Sequence, residues 1–195
     1  TNLRCQLIID NSSSMYFPIP GGKNATDNKI TFSVYCAAAL LELLKRQRDA
    51  VGISVFSENI EVQTKAKSSP LHHKILYYQL EKMLQPQANN NHKKTFAIDA
   101  LHQIAETIHK RSLVVIFSDM MDSEGNKEEL FSALQHLKHN KHEIILFHVT
   151  DKSKELNFEF ENRPYRFVDM ESGEEIKLHP NEIKATYVTQ MAAYK

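Results

Sequence analysis

The chain has 195 residues, with 24 Lys plus Arg against 24 Asp plus Glu, so it carries no formal net charge. A zero balance excludes a broad polyanion-binding surface, which needs a basic surplus, and it excludes an acidic disordered tail. Hydrophobic residues make up 42% and charged residues 25% of the chain, a globular composition, and the length suffices for one core without disulfide or metal staples.

Residues 4–9 (RCQLII) predict a buried strand ending at Asp10. A polar loop with Pro18, Pro20, Gly21 and Gly22 follows. Residues 29–47 predict a helix, well buried because Ala37, Ala38, Ala39, Leu40, Leu41, Leu43 and Leu44 crowd it. Residues 50–56 (AVGISVF) read as a second strand. Ile60, Val62 and Thr64 alternate with polar residues and predict a third, more exposed strand. Ser69-Pro70 is an N-cap followed by proline at the first helical position, and Leu76, Leu80 and Met83 keep helical spacing after it.

Residues 85–94 form a polar loop with Asn89, Asn90 and Asn91. Ile98, Leu101, Ala105 and Ile108 mark the next helix, and 112–117 (SLVVIF) a continuous apolar strand running into Ser118-Asp119. Asn126 with Glu129 has the form of a capping box, and Leu130, Leu134 and Leu137 continue that helix. Residues 143–149 (EIILFHV) predict a further buried strand. Tyr165 to Leu178 reads as a hairpin turning at Ser172-Gly173, and Pro180 starts a last helix with Ile183, Tyr187 and Met191. Apolar strands alternating with helices predict an α/β fold: one doubly wound, Rossmann-like domain over 1–195, mostly parallel with one antiparallel edge strand, helices on both faces, the hairpin and final helix (165–195) included.

Two cysteines, Cys5 and Cys36, form no CxxC and no disulfide framework, and read as free buried thiols of a reducing cytoplasm. No apolar run reaches the length of a membrane span and no signal peptide opens the chain. A start at Thr1 with a strand almost at once fits a fragment cut from something longer.

In doubly wound sheets, ligands bind beyond the carboxyl ends of the strands. Asp10-Asn11-Ser12-Ser13-Ser14 follows the first strand with the spacing D-x-S-x-S. Asp119, with Asp122 close by, follows the strand at 112–117, and Thr95 lies just before a helix. Asp10, Ser12, Ser14, Thr95 and Asp119 are hard oxygen donors suited to Mg²⁺, or to Mn²⁺ or Ca²⁺. Only two of the five are charged, so a bound ion stays electrophilic and accepts a further carboxylate from outside. The bland reading of these residues is turn and N-cap chemistry, and the strand-end context favours the metal site.

Other chemistries fail on residue type. A haloacid-dehalogenase-type phosphatase needs a second Asp where Ser12 stands. No G-x-S-x-G is present, and around Gly22-Lys23 a P-loop would need other residues than Phe17 and Asn24. No HExxH occurs; His72-His73, His102 with His109, and His136, His139 and His142 read as solvated or capping histidines rather than a zinc site. Lys138, His139 and Lys141 offset a helix dipole. The expected function is a non-enzymatic binding module, the alternative a metal-dependent hydrolase using the same residues.

The set Asp10, Ser12, Ser14, Thr95, Asp119 resembles the metal-ion-dependent adhesion site of von Willebrand factor A domains, over nearly the whole chain. IIDNSSSM, FSDMMD and RFVDMESGEEIKLHP resemble, more narrowly, the bacterial domain-of-unknown-function fifty-eight family, often encoded beside MoxR-type AAA+ ATPases. The resemblance implies a von Willebrand A-type fold with Ser12 and Ser14 on the ion, Thr95 on it directly or through water, and Asp10 and Asp119 partly through water. It implies a protein partner presenting an acidic residue, of the MoxR-type ATPase class, in assembly or chaperone-like remodelling; the zero net charge argues against nucleic acid as a partner. Lys93-Lys94 depart from the small residues many relatives have before the Thr, and either weaken the cation or attract the partner's acid.

Overall fold

Three apolar runs form the middle of one sheet, because strands covered on both faces have no polar side to show. In the computed structural model, which describes residues 3–19, 28–85, 97–120 and 127–194, they are β1 (Arg4–Asp10), β2 (Ala50–Phe56) and, after the short β3 (Ile60–Gln63), β4 (Leu113–Ser118). With β5 (Glu143–His148) the sheet runs β3-β2-β1-β4-β5. All pairs are parallel except β2 with β3, so the one antiparallel edge strand is the strand whose alternation of Ile60 and Val62 marks it as more exposed. The chain builds outward from β1 to β2 and β3, then crosses back to β4 on the other side. The order therefore reverses between β1 and β4, which makes their carboxyl ends the place for a site.

Alternate residues of β1 face opposite layers. Leu7 and Ile9 pack with Val115, Phe117 and the helices α1 (Lys29–Arg46) and α2 (Pro70–Met83). Ile8 packs with Val114, Ile116 and the helices α3 (Ala97–Thr107) and α4 (Lys127–His139). Helices thus cover both faces, and the doubly wound architecture expected from the sequence is the one observed. Ser69 caps α2, its side chain accepting from the His72 amide, with Pro70 in the first turn.

At the amino end of the sheet, Gln6 is buried, with Nε2 donating to Ser54 Oγ at 2.9 Å and to the Thr64 carbonyl at 3.2 Å. Gly52 lies opposite it in register; a Cβ there would run into Gln6 Oε1 and the Thr64 carbonyl oxygen.

Several expectations change. The helix at 29–47 buries Ala37, Leu41 and Leu44, but Phe32, Tyr35 and Leu43 are more than half exposed, because α1 packs on the sheet and α2 and turns its remaining side to solvent. The strand at 143–149 is not buried: Ile145, Leu146 and Phe147 are 46%, 40% and 39% exposed. It is the edge strand, paired only with β4, and an apolar run reads the same at an edge as in the middle. His72, His73 and His142 are buried rather than solvated: His72 Nε2 lies 2.9 Å from the Val51 carbonyl, and the Ser112 amide donates to His142 Nδ1 at 3.1 Å. His73 Nε2 and His142 Nε2 have no hydrogen-bond partner among the described residues. Among the described residues, His102 and His136 meet on neighbouring helices, their Nδ1 atoms 2.9 Å apart.

Beyond β5, one π-helical turn (Lys152–Leu156) leads to a separate two-stranded hairpin of β6 (Tyr165–Val168) and β7 (Glu175–Leu178), then to α5 (Pro180–Tyr194). Gly173 supplies the left-handed residue of the turn, with φ 76°. Phe158 ties this region together, its ring 4.4 Å from that of Tyr187 and 5.8 Å from that of Phe167, centroid to centroid. No described helix is long and apolar enough to cross a membrane.

Candidate metal centre

Asp10 is the last residue of the central strand. The Asn11 amide continues the ladder, donating to the Phe56 carbonyl at 2.7 Å. The chain then turns on the Asp10 side chain itself, whose Oδ1 accepts from the Ser12 amide at 2.9 Å, the local turn that aspartate favours. Ser12 precedes a single 3-10 turn (Ser13–Tyr16), and the fully buried Met15 pins that turn into the core. Asn11 fixes the loop from the other side: Nδ2 donates to Glu61 Oε2 at 2.8 Å and Oδ1 accepts from Tyr16 Oη at 2.7 Å. In this geometry Ser12 Oγ and Ser14 Oγ stand 3.1 Å apart.

The neighbouring strand supplies the rest. Ser118 Oγ donates to Asp10 Oδ2 at 2.6 Å and accepts from the Met120 amide at 2.9 Å. Between them Asp119 is fully buried, its carbonyl 3.0 Å from His148 Nε2 on β5. Met120 turns the chain away with a left-handed φ of 54°, a conformation a non-glycine residue holds only where its surroundings fix it.

Burial, and then the charge of Asp119, push the Asp10 carboxyl up to about 7, against the bonds from Ser118 and Ser12. Two carboxylates out of water that repel each other call for a cation. One is built in. Lys29 Nζ, on a residue only 3% exposed, donates to Asp119 Oδ2 at 2.8 Å and to Glu155 Oε1 at 2.5 Å. Burial alone would push the Lys29 ammonium down, but Asp119 and Glu155 beside it more than offset that and hold it above the ordinary lysine value. Glu155 is held in turn by the Asp151 amide, which donates to Oε2 at 2.7 Å. Beside Lys29 opens a cleft of about 490 Å³ between the start of α1 and the end of β5, with Phe32, Tyr35, His148 and Asp151 in its lining.

Of the residues predicted from sequence, the fold brings Asp10, Ser12, Ser14 and Asp119 to the carboxyl ends of β1 and β4. Thr95 lies outside the described residues, as do Lys93, Lys94 and Asp122. Ser118, Lys29 and Glu155 were missed. A signal for Lys29 exists: it is the first residue of α1, where a cation opposes the helix dipole, and no acidic residue lies in that first turn to excuse it.

Among the described residues, no group of three or more His, Cys, Asp or Glu is placed to hold a metal. An ion here would depend on hydroxyl oxygens as well as on Asp10 and Asp119. The paired hydroxyls and two mutually repelling buried carboxylates fit a hard divalent cation that keeps some of its water.

The family described as "Protein of unknown function DUF58" matches residues 1–195. No curated protein matches the sequence. Among solved structures, the chain is similar to the conserved hypothetical protein BatB from Bacteroides thetaiotaomicron, at 14% identity and TM-score 0.59, covering 97% of this chain and 86% of that one. It is similar to the same degree to an aerotolerance-related membrane protein from Bacteroides fragilis, carrying multiple mutations to serines, at 16% identity and TM-score 0.59, covering 98% and 89%. At such identities the likeness is one of fold.

Proposed function

The chain belongs to the DUF58 family, and on that premise we propose that it is a non-enzymatic, metal-dependent protein–protein interaction module of the von Willebrand A type. Asp10, Ser12, Ser14 and Asp119, together with Thr95, would hold Mg²⁺ or a similar divalent ion. The ion would supply an electrophilic position for an acidic residue of a partner protein. By the family resemblance the partner is of the MoxR-type AAA+ ATPase class, and the setting is cytoplasmic.

The observation that supports the reading is the burial of two carboxylates from adjacent strands, near enough for Asp119 to raise Asp10, with the Ser12 and Ser14 hydroxyls 3.1 Å apart beside them. Hydrogen-bonded turn serines alone would not require the second buried charge. The half-exposed rings of Phe32 and Tyr35 at the neighbouring cleft offer apolar contact to a partner whose acid approaches the site.

Calorimetric titration with Mg²⁺ tests the reading. Binding by the wild type that is lost in Asp119→Ala is the expected result; no binding by the wild type, or equal binding by both, overturns it. Capture of a MoxR-type partner in Mg²⁺ and its release by EDTA tests the docking step. Turnover of a phosphate or ester substrate that Asp10→Ala abolishes would replace the module with a metal-dependent hydrolase.

A further inference from the structure

Lys29 has no local reason to be where it is. As the first residue of α1 it sets a positive charge against the positive end of the helix dipole. It is also buried, and an ammonium out of water is costly unless paired. Its position follows from two carboxylates distant in sequence, Asp119 and Glu155, between which Nζ is held at 2.8 Å and 2.5 Å. One of the two is a predicted metal ligand; the other belongs to the turn at 152–156.

We propose that Lys29 is a tethered cation that competes with the divalent ion for Asp119, so that metal binding requires the ammonium to give up Asp119 and rest on Glu155. This rests on the metal-site reading above. An ammonium and a divalent cation both answer the repulsion between Asp10 and Asp119, but they repel each other at this distance, so each weakens the other's hold. Glu155 gives the displaced ammonium a partner, and its own bond to the Asp151 amide keeps it in place to receive it. The intact site then binds metal weakly enough to be emptied, and a partner's acid that stabilises the ion tips the exchange.

A salt bridge with a purely structural role would leave metal affinity unmoved. Mg²⁺ titration calorimetry of wild type, Lys29→Met and Lys29→Arg separates the two. Lys29→Met is expected to bind Mg²⁺ about tenfold tighter or more, from loss of one adjacent charge. Lys29→Arg, which keeps the charge, stays near the wild type. Lys29→Met binding no tighter than the wild type, or Lys29→Arg binding as tightly as Lys29→Met, overturns the competition and leaves the metal reading standing. Binding by Lys29→Met with none by the wild type supports the tethered cation and overturns the resting metal module. Binding by neither overturns both. Should Lys29→Met be unfolded without metal, far-ultraviolet circular dichroism against Mg²⁺ takes over: recovery of the helical signal with rising Mg²⁺ supports the exchange, and a chain that stays unfolded overturns it.

Discussion

The two ends of the same sheet bury polar groups in opposite ways. At the amino end, Gln6, Ser54 and the Thr64 carbonyl meet through neutral hydrogen bonds, packed against a glycine because nothing larger fits. At the carboxyl end, Asp10, Asp119, Lys29 and Glu155 bring charges together, with Ser12 and Ser118 bonded to the Asp10 carboxylate. Neutral bonds settle a structure and ask for nothing further. Mutually repelling buried carboxylates leave a standing demand for positive charge, and that demand separates a site from a polar part of the core.

Substitutions break this contrast in graded steps. The largest effect is expected from Asp10→Asn. It keeps an acceptor for the Ser12 amide but removes one of the two like charges, so Mg²⁺ binding by calorimetry is lost. The same variant is expected to be more stable than the wild type in EDTA at pH 8, by about 2–4 kcal/mol from urea midpoints, because the cost of the buried charge disappears. Next comes Gly52→Ala at the neutral end. Its Cβ meets Gln6 Oε1 and the Thr64 carbonyl, and the expected loss is about 1–3 kcal/mol of stability with Mg²⁺ affinity unchanged.

The pH dependence sharpens the comparison. The folded Asp10 carboxyl lies near 7, while an unfolded aspartate titrates near 4, at about 3.9. Between these values the folded chain holds a proton that the unfolded chain has released, so stability due to Asp10 falls as pH rises through this window and is level above it. Comparison with Asp10→Asn isolates the one group: the variant's stability advantage in EDTA should grow from pH 5 to pH 7 and then stop. An advantage independent of pH would contradict the shift. The smallest effect concerns the thiols. Cys5 is fully buried, its thiol pushed up to about 12 by burial and by Asp49, whereas Cys36 is only half-buried. A thiol reagent at pH 8 should label Cys36 first and Cys5 only on unfolding.

Residues close in sequence made half of the site legible. Asp10, Ser12 and Ser14 lie on one turn, and an apolar strand running into Asp119 marks its position without knowledge of the fold. Glu155 was illegible because a glutamate in a turn reads as a solvated charge and its pairing with Lys29 spans 126 residues; Lys29 left one trace, its unfavourable place at a helix start. The order of the sheet was legible in outline, since continuous apolar runs mean parallel strands between helices. That β5 lies at the edge was not, because Ile144, Ile145, Leu146 and Phe147 would serve equally well in the middle. His72 and His73 misled for the converse reason: polar letters on a helix were read as surface, yet both are buried beside apolar neighbours of α2.

The central position of β1 has a consequence for how the site moves in time. The Asn11 amide is bonded to the Phe56 carbonyl and the Ser12 amide to Asp10, at the end of a strand paired on both sides. Protons there exchange with solvent only when the sheet itself opens. The turn at 152–156 that carries Glu155 is held instead by its own bonds, to the Asp151 carbonyl and side chain, and by the Lys29 ammonium on Glu155, with no part in the sheet ladder. The site therefore has one wall that moves only with the sheet and another whose bonds lie outside it, and any exchange of cations would run on the second.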